Sequence, residues 1–102
     1  MTQENMYEKR WIIAGLTFET ACDLMCKIEE TCGKEVLNRI NGRNHMRTEF
    51  ADGTILRWFP TTENCHGQRC GKVWCDKNID RNIFKYVVLP MYFGKLEDII
   101  WV

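Results

Sequence analysis

A chain of 102 residues is long enough for one hydrophobic core and too short for two. With 45% hydrophobic and 27% charged residues it is too apolar to stay disordered, and no apolar run approaches the roughly 20 residues of a membrane-spanning helix. Fourteen Lys and Arg offset fourteen Asp and Glu, a balance that argues against non-specific nucleic-acid binding and leaves any affinity for phosphate to local clustering.

The opening, Met1 to Glu8, is polar and reads as loose, followed by one domain that takes up the rest of the chain. It starts no secretory core, so the six cysteines read as reduced thiols of a cytosolic protein rather than as a disulfide framework. Trp11, Ile12, Ile13 and Ala14 are apolar on consecutive positions, as expected of a strand buried on both faces. Gly15-Leu16 breaks it. Thr17 is placed to cap a helix, with Glu19 in its first turn, Phe18, Ala21, Cys22, Met25 and Ile28 at helical spacing, and Gly33 as its stop.

Two hairpin signals follow, Asn41-Gly42 and Asp52-Gly53. They predict strands near Glu35–Ile40, Asn44–Phe50 and Thr54–Phe59. With three-residue loops at Asn41-Gly42-Arg43 and Ala51-Asp52-Gly53, Val36, Ile40, Met46, Phe50, Leu56 and Trp58 share one face. Leu37, Arg39, His45, Arg47, Glu49, Ile55, Arg57 and Phe59 share the other. A polar loop, 60–71, leads to a short buried strand at Lys72-Val73-Trp74-Cys75. Asp80 to Leu89 has its apolar residues on one helical face, and Pro90 is expected to end it. Asp98 to Val102 reads as a last strand. The predicted class is α/β or α+β, in the order β-α-β-β-β-β-α-β, with a central three-stranded antiparallel meander and two helices.

Three groups of residues could carry chemistry. On the polar face of the meander Arg47 lies opposite Arg57, with Arg39, His45 and Phe59 beside them. Like charges across a strand pair repel, so the arrangement suits an intervening anion or Glu49, with Phe59 or Trp58 available to stack a base. A solvated face of splayed side chains is the other reading of the same residues. The loop His66-Gly67-Gln68-Arg69-Cys70-Gly71-Lys72 offers two glycines for close backbone approach and two cations for a phosphate, or is an ordinary surface loop. It is not a Walker A loop, because Val73 follows Lys72. Cys65, His66, Cys70 and Cys75 could supply four zinc ligands, but they lack a C-x-x-C knuckle and read more simply as buried or unligated thiols. The candidate ligand-binding set is Arg39, His45, Arg47, Arg57, Phe59, His66, Gln68, Arg69 and Lys72. No catalytic residue, metal ligand or cofactor is assigned, and an enzyme is not expected.

Phe50 to Trp58, with its Asp52-Gly53 hairpin, followed by Gly67-Gln68-Arg69 and by the strand Lys72 to Cys75 ending in Asp76, resembles part of the RecA-like ATPase domain of phage terminase large subunits. Trp11 to Glu30 would correspond to the Walker A strand and helix. The turn Ala14-Gly15-Leu16-Thr17 lacks the Walker A lysine, and Lys77 stands where a catalytic glutamate would follow Asp76. The resemblance thus implies a cut-down, phage-encoded α/β protein without motor activity.

By analogy with phage proteins that sequester cyclic nucleotide or ADP-ribose signals, the expected function is non-catalytic counter-defence binding of a small nucleotide-type ligand in the bacterial host cytosol. A protein–protein inhibitor of a host defence nuclease and a zinc-stabilised domain are the alternatives. Self-association into a homo-oligomer is expected from the zero net charge and the apolar strands near the chain end.

Overall fold

The computed structural model describes residues 7–59 and 68–102. Its strands are β1 (Arg10–Ala14), β2 (Val36–Gly42), β3 (His45–Phe50), β4 (Ile55–Phe59), β5 (Lys72–Cys75) and β6 (Ile100–Trp101), with helix α1 (Phe18–Thr31) between β1 and β2 and a second helix between β5 and β6. The element order is the expected one and the class is α+β. All six strands form one mixed sheet in the order β2-β3-β4-β1-β5-β6. β1 runs parallel to both β4 and β5, β5 runs parallel to β6, and β3 alone runs opposite to the other five strands. The meander β2-β3-β4 is therefore one wing of the sheet, and β1 is inserted between it and β5.

That insertion explains why β1 is apolar at every position after Arg10. Trp11 and Ile13 enter the core under α1, while Ile12 and Ala14 enter the core on the opposite side. The helix α1 starts at a reciprocal cap: Thr20 N–H donates to Thr17 Oγ1 at 3.3 Å, and Thr17 N–H donates to Thr20 Oγ1 at 2.9 Å. Its Ala21, Met25 and Ile28 pack on Trp11, Phe50, Leu56 and Trp58. Gly15 has a φ of +90°, and a Cβ there would lie 2.6 Å from the Cβ of Asp76, so the turn out of β1 requires glycine.

The second helix is capped by Asp80, whose Oδ1 accepts from Asn82 N–H at 2.8 Å. It is α-helical over Arg81–Ile83, widens to a π-helical turn over Phe84–Val88, and returns to α over Leu89–Met91. Pro90 does not end it. Proline has no N–H to give and its ring crowds the carbonyl four residues back, and the wide turn just before it accommodates both. Val88 and Met91 pack on Ile12, Val73 and Cys75. The corresponding side of β3 and β4 carries half-buried His45, Arg47, Glu49, Ile55 and Arg57 instead.

The Ala51-Asp52-Gly53 loop has the expected three residues, with Phe50 N–H donating to Thr54 O at 2.9 Å and Gly53 at a φ of +92°. The first hairpin differs. Gly42 pairs with His45, so the turn is the two-residue Arg43-Asn44, and a bulge at Leu37 resets the alternation of β2. Arg39 then faces α1, opposite Thr48, and Ile40 faces Arg47. Glu29 of α1 is the physical reason. Its side chain is only 7% exposed, and in this register its carboxylate accepts from Arg39 and, at 2.6 Å, from Thr48 Oγ1. A shift by one residue would turn Arg39 away and leave a buried carboxylate short of partners.

Candidate functional site: an arginine cleft beside β4

Parallel pairing of β1 with β4 sets Arg10 beside Ile55 and Ile12 beside Arg57, all on the side away from α1. Gln68 and Arg69, in the approach to β5, close the space in front of them. The result is a cleft of about 190 Å³ whose lining, besides Trp11 and Ile12 of β1, is Arg10, Ile55, Arg57, Gln68 and Arg69. Gln68 Oε1 accepts from Arg57 Nη1 at 2.9 Å and aims the guanidinium.

The rim is aromatic. Cys70 N–H donates to Met91 O and Phe93 N–H donates to Cys70 O, each at 2.8 Å, so the chain after the second helix runs alongside Arg69 and Cys70. The Arg69 guanidinium lies 5.2 Å from the centre of the Phe93 ring, Phe93 lies 4.9 Å from Tyr7, and Arg10 lies 5.5 Å from Tyr7. Two rings thus stand between two cations, each guanidinium within cation–π distance of one ring.

The electrostatics are one-sided. Among the described residues, Arg39 pairs with Glu29, Arg47 with Glu49 at 2.8 Å and Lys34 with Asp52, while Arg10, Arg57 and Arg69 have no carboxylate partner. Burial, then Arg47 and Arg10, lower the proton affinity of Arg57 below the usual arginine value. Arg57 Nε and Arg47 Nε are buried and have no hydrogen-bond partner among the described residues. His45 stacks on Phe59 with ring centres 4.9 Å apart. Burial, Arg57 and Arg47 push its pKa down, and its Nε2 is likewise unpartnered. Such a site is set up to receive hydrogen-bond acceptors that carry negative charge.

Of the residues singled out in sequence, His45, Arg47, Arg57, Phe59, Gln68 and Arg69 lie on this side of the sheet, and Arg39 and Lys72 do not. Arg39 is held on the α1 side by Glu29. Lys72 pairs with Trp11 across β1 and β5, and its ammonium lies 4.8 Å from the Trp11 ring centre and 5.1 Å from that of Trp74, also on the α1 side. Trp58 is buried there as well, with Nε1–H donating to Gly15 O at 2.8 Å, so it has no face to offer a base. Phe59 is on the correct side, but it is 8% exposed and covered by His45. His66, Gly67 and Cys65 lie outside the described residues. Gly71 serves the backbone: a Cβ there would meet Tyr7 O at 2.6 Å, so glycine lets residues 7 and 8 pass close by and brings Tyr7 to the rim.

Sequence reasoning missed Arg10, Tyr7 and Phe93. Arg10 reaches the cleft only through long-range parallel pairing, which leaves no local signal. Cys75 sits in the apolar core, where burial and then Asp76 push its thiol pKa up to about 12. Among the described residues no three His, Cys, Asp or Glu side chains are grouped to hold a metal ion. Asp76 follows β5 beside Gly15, and its Oδ1 accepts from Asn78 N–H at 2.9 Å, a turn-forming role. No described helix is long and apolar enough to cross a membrane. No family model, curated protein or solved structure matches this chain.

Proposed function

We propose that this protein binds a small phosphate-bearing ligand in the cleft between Arg10, Arg57, Gln68 and Arg69, and that it holds the ligand without converting it. The observation that carries the reading is Arg57. It is half-buried, directly opposite a second arginine, next to a third, and among the described residues it is hydrogen-bonded to a neutral amide rather than to an acid. A charge kept in such a place costs stability, and a bound anion would offset that cost. Among the described residues, the acid beside the cluster, Glu49, is taken up by Arg47. Retention of a nucleotide-type signal in the bacterial host cytosol, as in phage counter-defence, is the setting we infer from the resemblance described above.

Titration calorimetry of the full chain with pyrophosphate and AMP tests the reading. Micromolar binding that Arg57→Gln abolishes, with the ligand recovered chemically intact by chromatography, is the expected result. Absence of binding, or steady consumption of the ligand, would overturn it.

A protein interface is a second reading, favoured by the edge strand β2, on which Leu37 is 64% and Ile40 49% exposed. An exposed edge with apolar side chains suits strand addition or capture of a partner such as a defence nuclease. Nuclease inhibition that is retained by Arg57→Gln and lost in Ile40→Lys would favour it over the ligand reading.

A further inference from the structure

We infer that the cleft takes a terminal phosphate, end-on, and rejects phosphates locked inside a diester. This deepens the phosphate-binding reading and rests on it. Two observations point the same way.

The first is size. Pockets that engulf a drug-sized or cofactor-sized ligand occupy about 300–1,000 Å³. This cleft is about 190 Å³, enough for a phosphate and the first carbons attached to it and too small for a nucleoside. Whatever the phosphate is attached to must lie outside, against the rim where Phe93 is 43% exposed. A cyclic nucleotide has its phosphate fused into a ring on the ribose and has no free end to insert.

The second is charge and geometry. Arg10, Arg57 and Arg69 line the cleft from three separate segments, β1, β4 and the stretch before β5, and none has a carboxylate among the described residues. A phosphomonoester at neutral pH carries a charge of about −1.5 to −2 on three equivalent oxygens. It can therefore accept from all three guanidinium forks at once. A diester carries one charge on two free oxygens and would leave one fork unsatisfied. The shared chemistry is a phosphomonoester on a small molecule, whether a mononucleotide or a sugar phosphate.

The test is titration calorimetry of the full chain against ribose 5-phosphate, AMP, cyclic AMP and adenosine in phosphate-free, low-salt buffer. Ribose 5-phosphate and AMP are expected to bind at least about 10-fold more tightly than cyclic AMP, and adenosine not at all; each lost charge-assisted hydrogen bond is worth roughly 10–100-fold. AMP binding more tightly than ribose 5-phosphate would place the base against Phe93, and equal binding would mean that only the phosphate end is read; both support the inference. Arg69→Gln, at an exposed position, is expected to weaken AMP about 10-fold or more and cyclic AMP by less. Cyclic AMP binding as tightly as AMP would overturn end-on recognition while leaving phosphate binding intact. Failure of all three phosphate compounds to bind would overturn both.

Discussion

Arg47 and Arg57 stand directly opposite each other on β3 and β4, on the same side of the sheet, and among the described residues Arg47 alone of the two has an acid to pair with. Like charges facing across a strand pair destabilise it by roughly 0.2–1 kcal/mol. Replacing Arg57 with methionine should therefore leave stability unchanged or raise it by about 0.5 kcal/mol in anion-free buffer, despite the lost bond to Gln68. Urea unfolding checks this. Added pyrophosphate should stabilise the parent protein and not the variant; a large loss of stability in Arg57→Met would show that the arginine serves the fold.

His45 makes stability depend on pH. Its folded pKa lies below the ordinary value of 6.5 because of burial, Arg57 and Arg47. Above pH 6.5 the imidazole is neutral in both states and contributes nothing. As the pH falls below 6.5 the unfolded chain takes up its proton first, so stability declines until the folded pKa is reached and then levels off. His45→Gln should flatten that part of the profile. A bound anion beside His45 reverses the local field, so ligand binding just above the folded pKa should take up protons, measurable by calorimetry in buffers of different ionisation enthalpy.

Arg39 is assigned to the fold by its pairing with Glu29, and this separates it from the cleft arginines. Arg39→Met should cost about 1–3 kcal/mol, because it strips the buried Glu29 carboxylate of its charged partner, and should leave ligand affinity unchanged. Glu29→Gln in the same background should recover part of the loss. Denaturant curves and calorimetry on the single and double variants decide the point.

Gly71→Ala tests the route by which Tyr7 reaches the rim. The added Cβ would meet Tyr7 O at 2.6 Å and Glu8 Cα at 2.9 Å, so this backbone must move away. The expected cost is about 1–3 kcal/mol in thermal unfolding, together with weaker ligand binding as Tyr7 withdraws from Phe93 and Arg10. Unchanged stability would mean that the approach of residues 7 and 8 is loosely held.

The thiols should differ sharply in reactivity. Cys75 is fully buried with its pKa pushed up to about 12, whereas Cys26 is exposed on α1. Alkylation of the native protein, mapped by peptide mass spectrometry, should modify Cys26 within minutes and Cys75 only after denaturant is added. Early labelling of Cys75 would contradict its place in the core.

Features set by near neighbours in the chain were legible before any coordinates. The Thr17 cap, the Gly33 stop, the Ala51-Asp52-Gly53 loop and the unbroken burial of β1 each depend on a few adjacent residues whose chemistry is local. The opposition of Arg47 and Arg57 was legible too, because a three-residue loop sets the β3–β4 register. Long-range pairing decided the rest. β1 entered the sheet beside β4 and so delivered Arg10 to the cleft, and Glu29, reaching across from α1, selected the two-residue turn and the bulge that took Arg39 out of it. Neither choice has a local signature, since each depends on which residues from distant parts of the chain satisfy one another's charge and hydrogen bonds once the sheet is assembled.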